Sequence, residues 1–143
     1  MDHRPLILLS LVFLFCMPGC ASIDLSTPEK NYASFYAAIK AKNFSMFSKC
    51  FQTDVELYND KNLRILADKV FNDIDIVSHR IIKKENTGEK EAFIVAEEIS
   101  KRKDGIRAKS TLRINYINSG GTWKIVSSET VSFEKLTDKS TSQ

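Results

Sequence analysis

The sequence predicts an α+β domain, with N-terminal helices packed on a curved four-stranded antiparallel sheet. Three observations lead there. Between Tyr32 and Phe71 the apolar residues recur at helical spacing. From Ile74 onward the period changes to two. Thr87-Gly88, Asp104-Gly105 and Ser119-Gly120 then divide the rest into four segments with hairpin turns between them. Helices first and strands afterwards is the order of a domain whose helices cover one sheet face.

Thr27-Pro28-Glu29 starts the first helix, with a hydroxyl cap, a proline in the first turn and an acid near the positive end of the dipole. Tyr32, Phe35, Tyr36 and Ile39 form its apolar stripe. Lys42-Asn43 breaks it, and Asn43 caps a second short helix carrying Phe44, Phe47 and Phe51. Thr53 to Tyr58 reads as a connector. Asp60 caps a third helix with Leu63, Leu66, Ala67, Val70 and Phe71 on one face, ended by Asn72-Asp73. The strands are expected over Ile74–Lys84, Glu91–Lys101, Ile106–Ile117 and Thr122–Phe133, and Glu134 to Gln143 as a disordered tail.

A separate segment precedes this domain. Leu6 to Met17 is an apolar run too short for a bilayer span, which needs about 20 residues. It has the length of the apolar region of a signal peptide. After it come Met17-Pro18-Gly19-Cys20 and Ala21-Ser22. A small residue directly before a cysteine resembles the lipobox of bacterial lipoproteins. The resemblance implies cleavage after Gly19, lipidation of Cys20 with palmitate-type chains, and a membrane partner reached through that anchor. Ala21, rather than Asp, after the cysteine implies the outer membrane, facing the periplasm. The alternative is an ordinary secretory signal that leaves Cys20 a plain thiol. Residues 20–26 would be a lipidated cysteine and a short tether of ~20 Å extended, at roughly 3.3 Å per residue.

Composition narrows the function classes. Removing residues 1–19 leaves 124 of the 143 residues, one domain of ordinary size. Arg4 and Asp2 leave together, so the formal net charge of +3 is unchanged. That is mildly basic and no nucleic-acid signature, so no nucleic acid is expected as a partner. His79 is the remaining histidine and Cys50 the remaining free cysteine. A zinc site of the usual His/Cys type is therefore not expected, and no motif points to a cofactor. Cys50, beside Phe51, reads as a small buried residue.

The hairpins permit a register argument. A two-residue Ser119-Gly120 turn pairs Tyr116 with Trp123, Ile114 with Ile125, Leu112 with Ser127, Ser110 with Glu129 and Ala108 with Val131. A two-residue Asp104-Gly105 turn pairs Phe93 with Tyr116, Val95 with Ile114, Glu97 with Leu112 and Ile99 with Ser110. The apolar residues of all three strands then share one face, and a one-residue slip would invert that agreement. Arg107, Lys109, Arg113 and Lys124 fall on the other, wet face.

Thr27-Pro28-Glu29, then Phe35-Tyr36-Ala37-Ala38-Ile39-Lys40, Asn43-Phe44 and Phe51, resembles the opening of nuclear transport factor 2-like domains. Gly121-Thr122-Trp123-Lys124-Ile125 resembles their last strand. Small bacterial lipoproteins of uncharacterised function carry this domain. The resemblance spans 27–133 and implies a cone, a curved sheet wrapped around helices, often with a pocket inside. Related isomerases and dehydratases place acid/base side chains in the cone, but nothing here matches a catalytic motif residue by residue, so no catalytic residue is assigned.

In that register the inner face is not uniformly apolar. Glu97, Glu129, Ser110 and Ser127 lie near its middle. A carboxylate on an apolar face must be paired, hydrated or neutral. Arg80 would supply a counter-charge if the first strand runs without a bulge; with one near Ser78-His79, His79 points inward instead. One reading is a ligand pocket floored by these residues, for a small amphipathic molecule. The other is a set of solvated rim residues. Three functions follow from different classes: a non-catalytic binding module for a small apolar ligand or an envelope protein, an isomerase- or dehydratase-type enzyme, and a structural envelope protein.

Overall fold

The computed structural model describes residues 23–137. The signal segment, Cys20 and the last residues of the tail lie outside them. Helix α1 spans Pro28–Ala41, α2 Phe44–Lys49 and α3 Asp60–Asp68. A 3-10 turn, Glu56–Tyr58, precedes α3, and a π-helical turn, Lys69–Asp73, follows it. Strands β1 (Ile74–Asn86), β2 (Glu91–Arg102), β3 (Arg107–Ser119) and β4 (Thr122–Leu136) form one antiparallel sheet in the order β1-β2-β3-β4.

The helix starts follow their caps. The Thr27 side chain accepts from the Lys30 N–H at 3.1 Å, and Asn43 from Met46 at 3.1 Å. The third cap is Asn59 and not Asp60: its side chain accepts from the Asn62 N–H at 2.9 Å, and Asp60 is the first helical residue. Helix α1 ends at Lys42 in the left-handed conformation, φ 51°. Tyr32, Tyr36 and Ile39 of α1, Phe47 and Phe51, and Leu63 of α3 are buried against Ile94, Ile114, Tyr116 and Ile125 of the sheet. Full burial of one such side chain is worth ~1.5–3 kcal/mol. Cys50 is fully buried, and its thiol donates to the Met46 carbonyl at 3.4 Å.

Buried Asn31 ties α1 to the sheet. Its Nδ2 donates to the carbonyls of Cys50 (3.0 Å) and Trp123 (2.8 Å). The chain after α2 runs along the start of β4: Ile125 N–H donates to Cys50 O and Gln52 N–H to Ile125 O, each at 2.8 Å. The residues expected as a free tether join the same end. The Trp123 N–H donates to Leu25 O at 2.8 Å, and the Ser34 hydroxyl to Asp24 O at 3.1 Å. Ile23 and Leu25 pack against the core. At the other terminus β4 continues to Leu136, so Glu134 to Leu136 are paired with Lys109, Ala108 and Arg107 rather than frayed.

Both expected registers shift, for reasons of loop geometry. The β3–β4 turn is Gly120-Gly121, with Ser119 paired to Thr122. Both glycines have positive φ, 64° and 86°, which a type I′ turn requires at its two central positions. Tyr116 therefore opposes Ile125, Trp123 opposes Asn118, and Ile114 opposes Ser128. The β2–β3 loop has three residues, Lys103-Asp104-Gly105, closed by Arg102 N–H to Ile106 O at 2.9 Å with Gly105 at φ 87°. That extra residue moves β2 by one, so Ile94 opposes Ile114 and Ala96 opposes Leu112. Phe93, Val95, Glu97 and Ile99 turn to the outer face. Bulges at Val126 and Val131 on β4, and at Val77 and Ile82 on β1, change faces again along the edge strands.

Candidate functional site: an apolar cavity with one carboxyl group

The β2 slip brings Glu98, and not Glu97, to the inner face. Glu98 opposes Ser110 on β3 and His79 on β1. The Tyr36 hydroxyl donates to its Oε2 at 2.7 Å. Burial raises the Glu98 carboxyl above its ordinary pKa, and the bond from Tyr36 opposes part of that rise. The Tyr36 hydroxyl is itself pushed far up, first by burial and then by the neighbouring Glu98 charge, so it remains a donor.

Two further groups hold this pair. The His79 ring stacks on Tyr36, centroids 3.8 Å apart and planes 7° apart. Its Nδ1 lies 3.1 Å from the Tyr32 hydroxyl, which donates to it when the ring proton is on Nε2. Partial burial lowers the His79 pKa, favouring the neutral ring. The bulge at Val77 turns His79 inward, the alternative the sequence had left open for it.

Glu98 forms part of the wall of a cavity of about 320 Å³ between the helices and the sheet. Phe35, Ile39, Leu66, Val70, Leu112 and Ile114 supply most of its apolar surface. Ser128 and Thr130, which are exposed, open it to solvent along β4. Glu98 is the one ionisable side chain on this wall among the described residues. Phe133 opposes Ser110 on the same face and is 67% exposed, at the rim.

The other expected pocket residues scatter. Ser110 faces inward beside Glu98. Glu97 lies on the outer face, where Arg80 Nε donates to it at 3.1 Å and Lys109 Nζ sits at 3.3 Å. The Arg80 bond, with help from Lys109, holds the Glu97 carboxyl below the usual range. Arg80 is thus an outer-face partner and does not reach the cavity. Glu129 and Ser127 are on the outer face too, opposite Arg113 and Asn115, because the bulge at Val126 rotates β4. Ser127 Oγ accepts from Asn115 Nδ2 at 2.9 Å. Cys20 lies outside the described residues. Sequence reasoning missed Glu98, Tyr36, Ser128 and Thr130. The signal that would have found Glu98 is the loop: Gly105 read as the third residue of a three-residue turn gives the observed β2 face, whereas Ser128 and Thr130 face inward through the bulge at Val126.

Cys50 stands apart. Burial pushes its thiol up to about 12, which suits a packed residue and not a nucleophile. Among the described residues no group of three or more His, Cys, Asp or Glu side chains is gathered to hold a metal, and no helix is long and apolar enough to cross a membrane.

Three helices on an open four-stranded antiparallel sheet, with a cavity between them, can be compared with solved structures. A ketosteroid isomerase-like protein from Erwinia carotovora atroseptica superposes with a TM-score of 0.58, at 16% identity, over 76% of this chain and 96% of that one. The fold is nuclear transport factor 2-like. An NTF2-like protein of unknown function from Shewanella baltica matches with a TM-score of 0.51 at 14% identity, over 76% and 90% of the two chains. A SEC-C motif-containing protein from Rhodopseudomonas palustris matches with 0.65 at 16% identity, over 76% and 82%. No protein-family model matches the sequence, and no curated protein sequence matches it. At these identities the likeness is one of fold.

Proposed function

We propose that this chain is a bacterial envelope lipoprotein, anchored through Cys20 at the outer membrane and facing the periplasm, whose cone binds a small amphipathic molecule without transforming it. The observation that carries the binding reading is the 320 Å³ apolar cavity with one tied carboxyl group on its wall. Small-molecule sites are typically concave, about 300–1,000 Å³, and apolar with a few placed polar groups. Support for the anchor comes from Met17-Pro18-Gly19-Cys20 and from the packing just after it. Ile23 to Ser26 are bound to α1 and β4, which leaves Ala21 and Ser22, ~7 Å when extended, as the tether. The cavity runs from Phe51 and Ile125, near the attachment, to the exposed Ser128 and Thr130, where it opens. Trp123, beside the attachment, and Thr130, on the cavity wall, are seven residues apart on β4, or ~23 Å. An anchored domain would open away from the bilayer.

Two measurements test this. Labelling with a fatty-acid analogue should mark the wild type and not Cys20→Ala; equal labelling refutes the anchor. An uncharged environment-sensitive probe should bind the full chain carrying Cys20→Ala, and Thr130→Trp, which fills the cavity from an exposed position, should sharply weaken it. Unchanged binding in Thr130→Trp refutes the cavity. One observation favours a second, enzymatic reading: a carboxyl raised by an apolar wall, with a tyrosine bonded to it, can move a proton on a bound ketone. Deuterium uptake from heavy water by a bound ketone, lost in Glu98→Gln, would establish it over simple binding.

A further inference from the structure

The cavity is flanked by a second space of about 510 Å³ between the end of α1 and the start of β1. The two share Ile39, Val70, Ile74 and Ile76. A third, of about 430 Å³, adjoins it between Lys42 and the β2–β3 end of the sheet. These outer spaces differ from the cavity in charge. Their walls carry Lys40, Lys42, Lys101, Arg102 and Lys103 against Asp73 and Asp75. Five cations to two anions is a local excess of three, as large as the net charge of the whole chain.

Part of this excess is already used. Lys103 pairs with Asp73 at 3.2 Å, and Arg102 with Asp104 at 3.1 Å. Lys40, Lys42 and Lys101 have no ion pair among the described residues. A cation near the last turn of a helix complements the dipole, which accounts for Lys40. It does not account for Lys101, which comes from β2, where its directly opposed neighbour on β1 is Asp75. Nor does it account for a lysine at the left-handed position 42, where glycine or asparagine is the usual occupant.

We infer that the ligand of the cone is an amphipathic anion, its apolar tail in the cavity and a carboxylate or phosphate head at Lys40 and Lys42, which line the flanking space. This rests on the binding reading above and names the class of molecule bound. An anionic head is excluded from the cavity itself, where Glu98 is the ionisable group and Tyr36 already occupies one of its oxygens. A cationic head would meet the lysine rim on entry. The division between a dry tail site and a basic rim selects an alkyl chain ending in negative charge.

Displacement of the uncharged probe from the full chain with Cys20→Ala, so that no attached acyl chain competes, tests the inference. The competitors are twelve-carbon chains ending in carboxylate, phosphate, alcohol or ammonium, with inorganic phosphate as a fifth. The carboxylate and alkyl phosphate should bind about tenfold tighter than the alcohol, and the ammonium weakest. Raising the salt to about 1 M should shrink that advantage by screening. Inorganic phosphate should not displace the probe; if it does, the site is a phosphate site and the tail is irrelevant. Lys40→Glu with Lys42→Glu should erase the advantage of the anions and leave the alcohol unchanged. Lys42→Gly suits the left-handed backbone, so a partial loss of carboxylate affinity there, with an unaltered melting curve, cannot come from unfolding. Equal affinity for all four heads, or tightest binding of the ammonium, overturns the inference while leaving the cavity reading intact. Failure of the probe to bind at all overturns both.

Discussion

The two halves of the sheet present the same strands in the same pairing, yet one is closed and the other open. At the end carrying the β1–β2 and β3–β4 turns, Ile94, Tyr116 and Ile125 meet Phe47 and Phe51, all of them buried, and Ile125 and Phe51 close the inner end of the cavity. Asn31, Leu25 and the chain after α2 then seal β4 with backbone hydrogen bonds. At the other end, the inner face carries Glu98, Ser110, Ser128, Thr130 and Phe133, and α3 gives way to the π-helical turn. The first half holds the fold together. The second leaves room for something else. The difference shows how a cone is left with a cavity: Ser110, Ser128 and Thr130 stand on the inner face where the closed half has large apolar residues, on a sheet whose stability is supplied elsewhere.

The largest expected effect lies in the closed half. Phe47→Ala should cost ~3–5 kcal/mol, as large aromatic truncations in cores do, whereas Phe133→Ala at the open rim should change stability by less than about 0.5 kcal/mol. Denaturant melts of both variants decide it, and comparable losses would break the division.

Next in size is a gain. The Tyr116 hydroxyl is buried with no hydrogen-bond partner among the described residues. Removing an unsatisfied buried polar group relieves a cost of ~1–3 kcal/mol, so Tyr116→Phe should raise stability by about 1 kcal/mol. A destabilised Tyr116→Phe would mean that the hydroxyl is satisfied and the closed half less dry than described.

Glu98 sharpens the comparison through pH. Burial raises its carboxyl, so the folded chain holds this proton more tightly than the unfolded chain does. Its contribution to stability is fully present below the unfolded pKa and is lost as pH rises through the folded one. Glu98→Gln removes that dependence and keeps an acceptor for Tyr36. The variant should melt above wild type at about pH 8, with the gap fading toward about pH 4. A gap that widens on acidification would contradict the placement of Glu98 on the cavity wall. The smallest effect belongs to its neighbour. Glu97→Gln, on the solvent face between Arg80 and Lys109, should leave both the melting temperature and probe binding nearly unchanged.

How far the site could be read from the chain turns on one loop residue. The element order, the caps Thr27 and Asn43, the apolar stripe of α1 and the four-strand meander were all legible, because each rests on local spacing or local backbone preference. The inner acid was not. Ala92-Phe93-Ile94-Val95-Ala96 is apolar at every position, so alternation cannot say which face of β2 is inside. Only the loop length decides, and a two-residue and a three-residue turn both place Asp104-Gly105 at the bend. For β3–β4 the expected turn was also misplaced, but by two in register, which preserves the face as far as Ile125. The bulge at Val126 then reversed Ser127 and Glu129.

By itself the sequence determined what short-range physics controls: where helices begin and stop, where the period changes from 3.6 to two, which residues must be buried somewhere, and the N-terminal segment that resembles a lipobox. Tertiary structure decided which of two adjacent acids faces the cavity, that His79 stacks on Tyr36, and that Lys40 and Lys42 border the space flanking the cavity. Those outcomes depend on strand parity and on contacts between residues tens of positions apart. A single extra loop residue or bulge exchanges the faces of a strand while leaving its composition untouched.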